Sequence, residues 1–461
     1  MNNLGQKLWN FCNILRHDGV DYGDYIEQLT YLLFLKMADE RGTALPARCD
    51  WPTLRAQAGT DLLDHYALTL ATLQRQPGML GKMYSQAMPR LANPQNLKRL
   101  INLIDEDDWT ALDVDVKGEA FEDLLERSAN EGKKGAGQYF TPRPLIRSVV
   151  RVMRPDPRVR PDFTLCDPAC GTGGFLVAAY EWLMHESGGK LDRDAARRIK
   201  AQTYFGYELV ARPARLAMMN LFLHGVTSDV FIGDTIYGRF DGRLYDCILA
   251  NPPFGTKGAN QAPDRDDFMV TTTNKQLNFV QHIHTALKRG GRAAIVLPDN
   301  VLFEAKAAEV FEDLMKHANL HTILRLPRGT FTPYAQGVKA NVIFLQKGPA
   351  TEATYIYDAR ANVEGFTKKD RPLTDAFFAP FEAAFGPDPD GRAPRAEGER
   401  FRRFSRAEIE QREYKLDITW LKDDTLDDDA RAEPLELATE AIHALETTVL
   451  ELKAIVKLLE A

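Results

Sequence analysis

Asn251, Pro252, Pro253 and Phe254 follow directly on the apolar run "YDCILA", within the stretch "LANPPFGTKG". Two prolines make this corner too rigid to continue a strand, and its apolar character is unlike an ordinary surface turn. The residue types suit one problem in chemistry. The amino group of a nucleobase or amide is a poor nucleophile, because its lone pair is delocalised into a π system. The Asn251 side-chain oxygen and the Pro252 carbonyl could each accept one of its N–H bonds, which would hold the nitrogen in line with an electrophile and favour a pyramidal geometry. The prolines fix φ and carry no N–H, so the corner offers acceptors without competing donors. Phe254 could stack on a base drawn out of its helix, as enzymes acting on bases require.

An electrophile needs a carrier, and "LCDPACGTGGFL", Leu165 to Leu176, supplies a candidate cradle. A short strand, Asp167 and a turn with Gly171, Thr172, Gly173 and Gly174 lead into the helical run "FLVAAYEWLMHE". The glycines let a backbone pass close to a ligand, and the helix start offers free N–H groups. The spacing is a poor match to the dinucleotide GxGxxG pattern, and no Gly-Lys pair is followed by Ser or Thr, which excludes a Walker loop. The next strand ends in "GYEL", placing Glu208 where a carboxylate can accept hydrogen bonds from both ribose hydroxyls. "IGDT" puts Asp234 at the end of a third. Each of these acids alone could be a helix cap; all three beside a glycine turn share the crevice where open α/β sheets bind ligands.

The elements that position these residues alternate. After a purely helical reading to about residue 130, the runs "FTLCD", "TYFGYEL", "DVFIGD", "YDCILA", "RAAIVLP", "HTILRLP" and "VKANVIFLQ" are separated by helical stretches. Such alternation implies an α/β fold with a doubly wound, mostly parallel sheet. The "YDCILA" strand would then lie beside the "FTLCD" strand at the topological switch point, bringing Asn251 to the glycine turn. The expected organisation is a helical N-terminal domain (1–130), a catalytic core (131–350), a linker or irregular extension rich in Pro, Gly and charge (351–405), and a C-terminal helical region (406–461). In the last, Leu435, Ala438, Ile442, Leu445, Val449, Leu452, Val456 and Leu459 alternate spacings of three and four, which is a coiled-coil seam.

Composition narrows the classes further. No uncharged apolar run approaches the roughly 20 residues of a membrane span, and the N-terminus lacks a signal-peptide pattern, so a cytoplasmic protein is the default. Five scattered cysteines with no CxxC pair argue against a disulfide framework and a structural metal site. A net charge of −7 does not suggest a protein that coats nucleic acid. Arginines 143, 147, 151, 154, 158 and 160, and those from Arg392 to Arg406, could still form a phosphate-facing stripe, or simply solvated faces.

"NPPF", "DPACGTGGFL" and, upstream, "GQYFTPRPL" together resemble the amino-group DNA methyltransferases in which the methionine-binding motif precedes the glycine motif. More closely, the chain resembles the modification (M) subunit of type I restriction-modification systems. "GTFTPYAQGVKANVIFL" is similar to that family's later core motif, and "LTYLLFLKMADERG" to its N-terminal helix. The resemblance implies a Rossmann-like core using S-adenosyl-L-methionine to methylate the N6 amino group of adenine in double-stranded DNA. It further implies that Gln138, Tyr139, Phe140, Thr141, Pro142 and Arg143 line the methionine end of the cofactor, with Asp167, Gly171, Thr172, Gly173 and Gly174 forming the loop beneath it. Glu208 would take the ribose and Asp234 would lie near the cofactor's adenine. Asn251, Pro252, Pro253 and Phe254 would hold the target base, Phe254 standing where many members have tyrosine.

The NPPF corner alone does not separate DNA from other amino-group substrates. RNA and protein-glutamine methyltransferases resemble it there, and a stand-alone adenine methyltransferase or an inactive scaffold are further alternatives. "GQYFTPRPL" and the long helical N-terminus favour the type I reading. Once the domains are assigned, too few residues remain for a separate sequence-reading domain. The family supplies a specificity (S) subunit for this, and the heptad seam is a plausible docking element for it or for a second M subunit. Cleavage would belong to a separate restriction (R) subunit.

Overall fold

The computed structural model describes residues 3–17, 20, 22–112, 141–254, 261–332, 338–367 and 370–422. The heptad seam and Gln138, Tyr139 and Phe140 lie outside the described residues.

The N-terminal part is helical throughout its described length: α1 (Asn3–His17), α2 (Tyr22–Glu40), α3 (Trp51–Ala56), α4 (Gly59–Leu73), α5 (Gly78–Met83) and α6 (Pro94–Asp105). Its core is built from apolar positions repeating at helical spacing, as in Leu97, Leu100, Ile101 and Ile104 on one face of α6. The core proper begins with α7 (Arg143–Met153), then β1 (Leu165–Asp167), α8 (Gly174–Glu186), α9 (Arg193–Gln202), β2 (Tyr204–Glu208), α10 (Ala211–Leu223), β3 (Val230–Ile232) and β4 (Tyr245–Ala250). It continues through α11 (Lys275–Ala286), β5 (Leu287–Pro298), α12 (Ala305–His317), β6 (Ala318–Arg325), β7 (Ala340–Lys347), β8 (Ala353–Asp358), α13 (Asp375–Phe385), β9 (Phe401–Ser405) and α14 (Arg406–Gln411).

The described strands form one nine-stranded sheet in the order β3-β2-β1-β4-β5-β7-β6-β8-β9. The first five neighbours pair in parallel, and β7 runs antiparallel to both β5 and β6. The central strands are covered on both faces, and their sequences are largely apolar where they cross the core, as in "CILA" of β4 and "AAIVL" of β5. In β4, Cys247 and Leu249 join the core that includes α7, α8 and α10, while Ile248 and Ala250 face α11 and α12. The same two-residue period divides Ala294 and Val296 from Ala293 and Ile295 in β5.

Residues 351–405, expected as an irregular extension, instead carry β8, α13 and β9, which complete the far edge of the sheet. Phe378, Phe381 and Phe385 of α13 are buried against it. Pro, Gly and charged residues dominate only the loops around these elements.

Many of the clustered arginines are engaged by other residues of the chain. On α7, Arg147 pairs with Asp375 at 2.8 Å and Arg151 with Glu382 at 2.7 Å, tying that helix to α13. Arg158 pairs with Asp156, and Arg160 with Asp246. In the second cluster Arg392 binds the Gln346 side chain, Arg395 the Thr322 hydroxyl, and Arg400 the carbonyls of Asp358 and Ala361. Most of these guanidinium groups tie segments that are distant in sequence to one another.

The helical N-terminal part docks on α10. Phe34 meets Phe222 edge to face, with ring centroids 4.8 Å apart, and the Arg41 guanidinium lies 4.1 Å from the centre of the same ring. Arg215 reaches back to the Glu27 carboxylate and the Ser85 carbonyl. The other side of α10 meets the glycine turn, so one helix separates the N-terminal unit from the candidate site.

Candidate active site

The strand order changes direction between β1 and its two parallel neighbours, β2 and β4, and the crevice at such a point is where α/β sheets bind ligands. Three of the residue groups singled out in the sequence come to this one edge: Asp167 ends β1, Glu208 ends β2, and Asn251 follows β4.

The glycine turn is held from both sides. Its Cys170 N–H donates to the Tyr207 carbonyl at 2.9 Å, and the Asn220 side-chain amide donates to the Thr172 carbonyl at 3.2 Å. Gly171 has φ +53° and faces open space where a Cβ would stand, so the backbone is bare on the crevice side. Gly173 has φ +81° and packs closely on α10, where a Cβ would come within 3.3 Å of the Ala217 Cβ. The first glycine keeps room for a ligand, and the second lets loop and helix meet.

Both Glu208 oxygens are engaged by backbone: Oε1 accepts from the Val210 N–H at 2.9 Å and Oε2 from the Gly171 N–H at 3.1 Å. These bonds orient the carboxylate, and each oxygen retains a further lone pair for a ligand hydroxyl. Burial raises the Glu208 carboxyl above its usual range, opposed by these N–H groups. Asp167 is 2% exposed and accepts from the Ala169 N–H at 3.0 Å. Burial pushes it up to about 8, with the neighbouring Glu208 charge adding to the shift. Asp234 is different. Its Oδ1 accepts from the Ile236 and Tyr237 N–H groups at 2.8 and 2.9 Å, so this oxygen caps its own turn. The Thr235 hydroxyl then ties that turn to the Pro168 carbonyl at 3.2 Å.

At the proline corner the Asn251 Nδ2 donates to the Thr141 Oγ1 at 2.8 Å, across 110 residues of sequence. Thr141 and Pro142 lead into α7, with Arg143 its first residue, so the "FTPRPL" segment sits against the corner. The Asn251 Oδ1 is buried and accepts no hydrogen bond. The Pro253 carbonyl is taken by the Gln276 side-chain amide at 3.2 Å, while no described residue donates to the Pro252 carbonyl. Phe254 is 8% exposed and meets Phe331 edge to face, with centroids 5.3 Å apart at 81°. Gln276 and Asn220 are the positioning residues that sequence reasoning missed; each reaches a distant carbonyl through its side-chain amide, which leaves no local pattern. Phe331 lay within the "GTFTPY" stretch but carried no assigned role.

Among the described residues no three His, Cys, Asp or Glu side chains gather as a metal site, and no helix is long and apolar enough to cross a membrane.

Comparison with known proteins places the whole chain. Residues 112–427 match the family model for N-6 DNA methylase, and residues 4–126 match that for the HsdM N-terminal domain. The chain is 37% identical over 517 residues to the StySPI type I restriction enzyme methylase subunit of Salmonella potsdam, covering 100% of this chain and 96% of the relative. It is likewise 37% identical over 515 residues to the EcoKI methylase subunit of Escherichia coli K12, with 100% and 96% covered. The crystal structure of the EcoKI M protein (EC 2.1.1.72) aligns at a TM-score of 0.58 with 34% identity, over 100% of this chain and 97% of that one. A chain from a structural study of complex assembly and conformational transition of the type I R-M system aligns at 0.76 with 26% identity, over 100% and 99%.

Proposed function

The chain belongs to the N-6 DNA methylases, as a type I restriction enzyme methylase subunit and adenine-specific DNA methyltransferase, and from that membership we propose how its residues divide the work. It transfers the methyl group of S-adenosylmethionine to the N6 amino group of an adenine flipped out of double-stranded DNA, at sites chosen by a partner S subunit.

The residues at the crevice suit the cofactor. Gly171 leaves open space beside its backbone, and Glu208 presents two oriented oxygens to a pair of ribose hydroxyls. Leu209 and Ile232, at 59% and 43% exposure, offer apolar surface at the ends of β2 and β3 for the cofactor's adenine. Asp167 supplies a buried carboxyl to a positively charged ligand. Asp234 keeps its place near the adenine through the turn that its Oδ1 caps. Thr141, Pro142 and Arg143 line the methionine end, together with Gln138, Tyr139 and Phe140.

S-adenosylmethionine, when bound, supplies a methyl carbon on a positively charged sulfur. The Asn251 Oδ1 and the Pro252 carbonyl each accept one N–H of the adenine amine, drawing electron density back to nitrogen and aiming its lone pair. With S-adenosylmethionine held at the crevice, that lone pair would take its methyl carbon, the C–S bonding pair would stay with sulfur, and the surplus amine proton would pass to water. Pro253 keeps the corner rigid and Phe254 gives the base an aromatic contact. The observation that carries this reading is the buried Asn251 Oδ1, which accepts no hydrogen bond, beside a Pro252 carbonyl to which no described residue donates.

Sequence choice is assigned to a partner because the relatives are methylase subunits of multisubunit type I restriction enzymes. The complex is read as an S subunit with this chain and a second M copy, docked through the C-terminal heptad seam, with an R subunit adding cleavage. Expressing the chain with and without its neighbouring gene products, then mapping N6-methyladenine in host DNA, tests this. One bipartite motif methylated only when a partner is present supports it; selective methylation by the lone chain contradicts it.

A further inference from the structure

The proline corner carries one more polar group than an amine can use, and two residues outside it resolve the excess. With the backbone N–H groups of Pro252 and Pro253 absent, the corner offers three acceptors: the Asn251 Oδ1, the Pro252 carbonyl and the Pro253 carbonyl. The Asn251 amide adds two N–H donors on its own nitrogen. A primary aromatic amine has two N–H bonds. It can satisfy two acceptors, and it is repelled by a donor.

We propose that Thr141 and Gln276 are positioning residues that reduce this corner to the two acceptors an exocyclic amine requires. The Thr141 Oγ1 takes an N–H of the Asn251 amide at 2.8 Å, which turns Nδ2 away and leaves Oδ1 for the amine. The Gln276 amide occupies the Pro253 carbonyl at 3.2 Å and thereby removes the third acceptor. Among the described residues, what remains uncommitted is Oδ1 and the Pro252 carbonyl, one for each N–H.

Each residue is itself held. Thr141 directly precedes the first turn of α7, where the Ile146 N–H closes on the Pro142 carbonyl at 3.1 Å. Gln276 is 3% exposed in the first turn of α11, whose N-cap Asn274 accepts from the Leu277 N–H at 3.0 Å and is anchored by the Glu304 carboxylate. The orientation of the catalytic amide is therefore coupled to the docking of the segment assigned to the methionine end of the cofactor. A 180° turn of that amide would point Nδ2 at the amine hydrogens, a donor against a donor.

This inference rests on reading the corner as the amine site, and its test separates the two. The chain is assembled with the partner subunits it requires, and transfer of tritium-labelled methyl from S-adenosylmethionine to unmethylated DNA is followed at saturating cofactor, with cofactor affinity measured in parallel. Wild-type complex without transfer would remove the amine-site reading itself. With transfer established, Thr141→Val is expected to lower turnover at saturating cofactor roughly tenfold or more, whatever its effect on cofactor affinity, and Thr141→Ser to restore turnover to within about threefold of wild type. Gln276→Leu is expected to lower turnover with cofactor affinity preserved. The proposal is overturned if Thr141→Val loses cofactor affinity but keeps saturated turnover, if Thr141→Ser is as defective as Thr141→Val, or if Gln276→Leu turns over like wild type.

Discussion

The Gly171 N–H donates to the Glu208 Oε2 at 3.1 Å, so the glycine turn after β1 and the acid that ends β2 are one hydrogen-bonded unit. The Val210 N–H holds the second oxygen of the same carboxylate. Loss of the carboxylate removes an acceptor from both N–H groups and removes the ribose ligand as well. Glu208→Ala is expected to weaken S-adenosylmethionine binding at least tenfold by titration calorimetry, consistent with the roughly 1.5–3 kcal/mol of a hydrogen bond to a charged group. Unchanged affinity would remove Glu208 from the cofactor site.

The two αL glycines should separate by effect. Gly171→Ala meets no neighbour, but its methyl enters the crevice; Gly173→Ala pushes on Ala217 of α10. Each carries about 1–2 kcal/mol of backbone strain. Gly171→Ala is expected to lose more in cofactor affinity than in thermal stability, and Gly173→Ala to show the larger fall in melting temperature.

Asp167 gives a pH dependence. Its carboxyl rises from an ordinary 3.8 to about 8 in the folded protein, chiefly through burial. Between these values the folded state binds the proton and the unfolded state does not. The stabilising contribution is therefore complete below the unfolded value and is lost as pH climbs through about 8. A cationic ligand favours the carboxylate, so cofactor affinity should increase with pH up to about 8 and then level, with proton release on binding. Asp167→Asn is expected to raise the melting temperature of the ligand-free chain at pH 8 and to flatten the affinity profile. A profile unchanged by the substitution would show that the proton belongs to another group.

Phe254 meets Phe331 edge to face in a nearly closed contact. A base arriving at this ring has to share or displace that contact. Stacking of a base on an aromatic side chain is worth about 1–3 kcal/mol. Phe254→Tyr is therefore expected to keep turnover within about threefold, and Phe254→Ala to lower kcat/KM for DNA at least tenfold without altering cofactor affinity. Equal activity of the alanine variant would remove the aromatic contact from the reaction.

Strands buried on both faces were the most legible part of the fold. "YDCILA" is β4 from its first residue to its last, because a largely apolar run broken only by Asp246 leaves a central strand few alternatives. The last two strands, β8 and β9, were hidden by the Pro- and Gly-rich loops around them, and α13 by its interior Pro380. At the site, residue identity and place in the sheet located Asp167, Glu208 and Asn251 at one edge. The bond from Gln276 to Pro253 and that from Asn220 to Thr172 depend on tertiary placement, with no spacing rule to announce them. The arginines were legible as charge but not as partners, since Asp375 and Glu382 stand more than 220 residues further along the chain.

The central claim is that the Asn251 Oδ1 receives the adenine amine. The most direct measurement is methyl transfer from labelled S-adenosylmethionine to unmethylated DNA by the assembled complex carrying Asn251→Ala, with cofactor binding recorded on the same preparation. Transfer is expected to fall below about one-hundredth of wild type while cofactor affinity stays nearly intact. An Asn251→Ala complex that methylates DNA at a rate close to wild type would contradict the claim.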